Sequence, residues 1–164
     1  MLTLRNLLKT VPKCRHADFK PFFPLDARDA PDDTTGVNFI DEYNYTLLML
    51  YLFHSTKPST NLCHTIVSLQ SISINLPGYN NQTALLFALG NPNTPVDLVQ
   101  MLISNGASVD VLDAERDGCI NYLYDTRTRR NNSEFLQKLR LIVDHTDFQK
   151  MPFETTWPRE EDVL

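Results

Sequence analysis

Glycine and cysteine are scarce in this chain, and long apolar runs are missing. Five glycines in 164 residues leave little material for a phosphate-cradling loop, and neither a phosphate-loop nor a dinucleotide fingerprint occurs. No Gly-x-Ser-x-Gly nucleophile turn is present either. The three cysteines, Cys14, Cys63 and Cys119, are odd in number and widely spaced. That pattern argues against a disulfide framework and for a reducing compartment, so a cytoplasmic protein is expected. No apolar run approaches the roughly 20 residues of a membrane-crossing helix, so no membrane role is expected. Positive charge is short as well. Fifteen Lys and Arg against twenty Asp and Glu leave a net charge of −5, which makes nucleic acid an unfavoured partner for the chain as a whole.

What the chain has is an ordinary core. A hydrophobic content of 42% and a charged content of 21% fit one domain spanning 1–164 with a modest interior. Ten prolines indicate short, punctuated elements. Residues 1–12 place Leu4, Leu7, Leu8 and Val11 on one helical face, as in a capping helix. The acid-free start faintly resembles a mitochondrial presequence, but it is not a secretory signal, because Arg5 and Lys9 interrupt its apolar residues. Residues 17–36 are rich in Pro and Asp and read as irregular, with Phe19, Phe22 and Phe23 as anchors. The tail 149–164 holds the only tryptophan, Trp157.

Between these ends lies an internal repeat. Thr46-Leu47-Leu48-Met49-Leu50-Tyr51 aligns with Thr83-Ala84-Leu85-Leu86-Phe87-Ala88, and the same step again lands on Ile120. Each block follows a polar turn and precedes a second apolar helix with an alternating tail. In the middle unit, Thr94 is expected to cap a helix with Pro95 in its first position. Asp97 sits where a carboxylate meets free amides and the positive dipole end. Leu98, Val99, Leu102 and Ile103 form the apolar stripe, and Gly106 provides the left-handed residue that ends it. A two-helix unit of this kind cannot bury its own apolar face; stacked copies bury it against each other.

The middle unit resembles an ankyrin repeat. Thr83, Leu85 and Ala88 match the start of the pattern. Leu98, Val99, Met101, Leu102 and Ile103 match its second helix, and Gly106, Ala107, Val109 and Asp110 match its last part. Thr46, Leu48, Ile74 and Asn75 carry a weaker unit before it, and Asp117, Gly118, Leu141, Ile142 and Val143 one after it. The resemblance implies an all-α solenoid of about three helix-turn-helix units over 37–148, with short hairpin tips and end-capping helices. The family's Pro and His at the first helix are replaced throughout, by Leu47 and Met49, Ala84 and Leu86, and Asn121 and Leu123. Their side-chain hydrogen bonds are therefore expected to be absent. Such irregular units are similar to divergent ankyrin proteins of large DNA viruses, poxviruses above all, and of bacterial effectors and immunity proteins.

The resemblance also implies the site. By register, a concave partner-binding surface would be built from Glu42, Tyr43 and Tyr45, from Tyr79, Asn80 and Gln82, and from Arg116, Asp117 and Cys119. Phe53, His54, Gly90, Asn91 and Arg127 would close it at the ends of the first helices. Tyrosine and arginine are common interface anchors, whereas Tyr51 and Tyr122 occupy inward positions and are expected in the core. The expected partner is another protein, bound without catalysis, cofactor or metal. Cys14, His16, Cys63 and His64 do not make a zinc site, because adjacent residues on a helix diverge by about 100°. Cys119 is expected as an exposed contact thiol. Two alternatives remain open: a small cytosolic enzyme using a reactive cysteine at Cys119, and nucleic-acid binding through the basic run Arg127-Thr128-Arg129-Arg130.

Overall fold

The computed structural model describes Ile40 and residues 42–70, 73–125 and 132–147. The expected capping helix, the Pro/Asp-rich segment, Cys14, His16, Arg127, Arg129, Arg130 and Trp157 lie outside the described residues. Among the described residues there are six helices and no strand: α1 (Leu47–His54), α2 (Thr60–Leu69), α3 (Ala84–Gly90), α4 (Val96–Ser104), α5 (Cys119–Asp125) and α6 (Asn132–His145). The described residues are mostly helical, as the patterning predicts.

The helices fall into consecutive pairs. Each pair packs internally, α1 on α2, α3 on α4 and α5 on α6. The first helices also form a row, α1 against α3 and α3 against α5, and the second helices form another, α2 against α4 and α4 against α6. Position in the row explains composition. Helix α1 reads Leu-Leu-Met-Leu-Tyr-Leu-Phe-His and buries Leu47, Leu48, Met49, Tyr51 and Leu52, as a helix apolar on nearly every side must. Helix α3 buries five of its seven residues. One hydrophobic cluster runs from Leu47 through Leu85, Leu89, Leu98 and Leu102 to Leu123 and Ile142.

Helix starts are set by local hydrogen bonds. Thr46 accepts from the Met49 N–H at 3.3 Å, and its own N–H donates to Met49 Sδ at 3.4 Å. Ser59 caps α2 by accepting from the Leu62 N–H at 3.4 Å, while its N–H donates to the buried Tyr51 hydroxyl at 2.9 Å. In the third unit the Gly118 N–H donates to Asn121 Oδ1 at 3.2 Å. In place of the family's Pro and His, Met49 and Asn121 supply acceptors of their own at the first and third starts, whereas Thr83 makes no side-chain cap bond at the middle one.

Two expectations are corrected. The third unit does not start in phase at Ile120. The first backbone bonds of α1, α3 and α5 run from Leu50 to Thr46, from Phe87 to Thr83 and from Tyr122 to Gly118, each at 3.1 Å. Thus 37 residues separate Thr46 from Thr83, but 35 separate Thr83 from Gly118. Part of the shortfall is in α4, which has nine residues against ten in α2. Thr94, in turn, does not cap α4. Pro95 takes that place with extended backbone, and its carbonyl accepts from Leu98 at 3.2 Å. The turn Asn91-Pro92-Asn93, tied by Thr94 N–H to the Asn91 carbonyl at 3.1 Å, carries the Thr94 hydroxyl into the core, where no group among the described residues bonds it. Gly106 does end α4 in a left-handed conformation, with φ of 90°.

Candidate functional site: a cleft beneath three turns

Three polar turns project from the same end of the helix rows. Each has a left-handed residue two positions before the helix-starting residue: Asn44, Asn81 and Arg116, with φ of 64°, 60° and 70°. Asparagine tolerates this region better than most side chains. Isolated antiparallel bridges join Ile40 to Thr46 and Leu112 to Gly118. Pro77, which has no N–H, holds the corresponding place in the middle turn. The Gly78 N–H reaching the Gln82 carbonyl at 2.8 Å closes that turn.

The turns are laced to one another. Asn44 Nδ2 donates to the Pro77 carbonyl at 2.6 Å, and Asn81 Nδ2 to the Leu112 carbonyl at 2.5 Å. A second ladder lies behind them. Asn75 donates to the Gly106 carbonyl at 2.8 Å and accepts from the Ser108 N–H at 2.8 Å, and Asp110 accepts from the Asp147 N–H at 3.2 Å. Asn91 Nδ2 reaches back to the Leu52 and Ser55 carbonyls at 2.7 and 2.8 Å, satisfying the end of α1.

Tyr43 and Tyr79 stand on neighbouring turns, 54% and 73% exposed, with ring centroids 6.2 Å apart at 85°. Glu42 is exposed beside them. Tyr45 is corrected: it is half-buried, its ring edge-on to Phe87 at 5.6 Å and tight against Gly78, so it packs the first unit onto the second. Asn80 straps two turns together through its carbonyl, which accepts from the Ala114 N–H at 2.8 Å.

Cys119 is corrected as well. It is the first residue of α5 and only 3% exposed, because the two-residue shift in register turns it into the core. Burial, with Asp110 nearby, pushes its thiol up to about 12, so it is neither a contact residue nor a thiolate nucleophile at neutral pH. Arg116 is exposed at the third turn, and Arg127 lies outside the described residues.

Beneath the turns is a cleft of about 570 Å³. Of the expected residues it brings together Asn80, Gln82, Asp117, Phe53, His54, Gly90 and Asn91. Glu42, Tyr43, Tyr79 and Arg116 stay outside its lining. Sequence reasoning missed Phe87, Asp113, Glu115 and Asn121, which also line it. The available signal was the charged run Asp113-Ala114-Glu115-Arg116-Asp117 ahead of Gly118, which reads as a plain polar turn.

Tyr122, expected in the core, is half-buried against it and also lines the cleft. Its hydroxyl donates to Asp113 Oδ2 at 2.7 Å and accepts from Gln82 Nε2 at 2.6 Å. Burial first, then Asp113, holds the phenol above its usual range, so the hydroxyl stays a donor. Asp113 Oδ1 accepts from the Glu115 and Asp117 N–H groups at 2.9 and 2.8 Å. Gly90 lies against this ring: a side-chain carbon there would meet Tyr122 Cδ1 at 3.1 Å. The cleft lining thus combines aromatic rings with the carboxylates of Asp113, Glu115 and Asp117.

Among the described residues, no group of three or more metal-ligating side chains converges, and no helix is long and apolar enough to cross a membrane. No protein-family model matches the sequence, and no curated protein is significantly similar to it.

Proposed function

We propose that this chain is an ankyrin-type repeat protein of the cytoplasm that binds another protein across its three turns and the cleft beneath them, occluding or recruiting that partner. The observation that carries the reading is the Tyr43–Tyr79 pair. Two large aromatic side chains stand exposed and in contact on successive turns, where folding gains little from them and an interface would gain much. The ladders from Asn44 and Asn81 hold those turns at fixed spacing, which lowers the ordering cost of binding. In the family the chain resembles, divergent units of this kind occur in viral and bacterial proteins that act on host or rival proteins.

The alternative of a thiol enzyme at Cys119 has against it the burial of that residue. The nucleic-acid alternative rests on Arg127, Arg129 and Arg130 alone, and the carboxylates of the cleft lining would repel phosphates.

The test is affinity capture from native cytosol with the full chain and with the Tyr43→Ala/Tyr79→Ala variant. Capture of a specific protein by the parent and its loss in the variant, with helicity and melting unchanged, is expected. Undiminished capture by the variant would remove this interface.

A further inference from the structure

Resting on that reading, we infer that the cleft takes an extended segment of the partner that inserts an arginine side chain flanked by apolar residues. Part of the cleft lining is aromatic. Phe53 is 62% exposed, and its ring lies edge-on to Phe87 at 5.7 Å, with Tyr122 on the same lining. Asp113, Glu115 and Asp117 are on the lining too, which holds no lysine or arginine among the described residues.

Asp113 is held by three neutral donors, the Glu115 and Asp117 amides and the Tyr122 hydroxyl. Those bonds fix its position and bring no counter-charge with them. Among the described residues, no lysine or arginine pairs with Asp113 or Glu115. A guanidinium is the cation that suits this combination. It is planar, stacks on an aromatic face and donates in a fork to carboxylates, whereas an ammonium is more strongly hydrated and cannot stack. The apolar flanks would cover Phe53 and Phe87, burying ring surface now in water. A tethered carboxylate at a pre-set position needs no reorganisation when the cation arrives.

The experiment pans a random-peptide display library against the full chain, against Glu115→Lys and against Asp113→Asn. Peptides with arginine next to a large apolar residue should dominate on the parent. A fluorescent copy of the leading peptide should bind more weakly as salt rises. Replacing its arginine by lysine, or Glu115 by lysine, should each weaken binding about tenfold or more. Glu115 is exposed on the turn, so its variant keeps the comparison valid even if Asp113→Asn loosens the loop. Enrichment without arginine preference, with binding still lost in Tyr43→Ala/Tyr79→Ala, would overturn this inference and leave the protein-binding reading standing. No enrichment on the parent would overturn both. Arginine peptides that bind Glu115→Lys as well as the parent would place the contact elsewhere and end the proposal.

Discussion

Asn44 and Asn81 each do two things that one short amide side chain makes compatible. They tolerate a left-handed backbone, and they donate to the carbonyl of the next turn. Alanine in place of Asn81 loses both, and a loss of about 1–2 kcal/mol is expected by denaturant titration. Glycine there should recover the conformational part only. The sequence shows both asparagines within similar turns, but their bonding is invisible in it, because Pro77 and Leu112 lie about thirty residues away in the next unit. The cysteines make a second prediction at this scale. Cys63 and Cys119 are both buried and reduced, so iodoacetamide should leave their peptides unmodified in the native protein and alkylate them in urea, read by mass spectrometry. Rapid native labelling of Cys119 would contradict its placement. Its burial was unreadable in advance because a two-residue slip in the repeat moves a residue from a turn to a core-facing position.

Helix ends illustrate how far local rules reach. Gly106 was legible, since a residue with φ of 90° just past an apolar stripe is the usual role of glycine there. No atom lies near enough to clash with a side chain at that position, so Gly106→Ala should cost only the backbone term, about 1 kcal/mol, as a shift in the unfolding midpoint. Thr94 was not legible, because the Asn91 turn and the core compete with the helix amides for it. Helix α6 carries a different cost. Lys138 is 3% exposed, and burial lowers its pKa, with Glu134 partly opposing that. A lowered folded value means the unfolded chain binds the proton more tightly. Stability should therefore rise with pH between the lowered folded value and the unfolded value of about 10.4. Lys138→Met should remove that slope and raise the melting temperature at neutral pH. Calorimetry at several pH values on both proteins decides it, and a melting temperature lowered by Lys138→Met would show that the buried cation is favourably held.

At the scale of the molecule, α3 and α4 have neighbours on both sides, whereas the flanking pairs have a described neighbour on one. In a stack, stability is close to a sum of unit and nearest-neighbour terms. Hydrogen exchange should accordingly be slowest at the amides of α3 and α4 and faster toward α1 and α6. Leu85, fully buried in α3, contacts the centre of this arrangement; Leu85→Ala should cost about 2–5 kcal/mol, a large share of a domain's total. The sequence by itself determined the helical pairs, their apolar stripes and the turns between them, because 3.6-residue periodicity and turn chemistry act over a few residues. Only the tertiary structure decided which residues share the cleft. Phe53, Gln82, Asp113 and Tyr122 come from three successive units, and their meeting depends on the spacing between units, which a two-residue change resets without altering any local pattern.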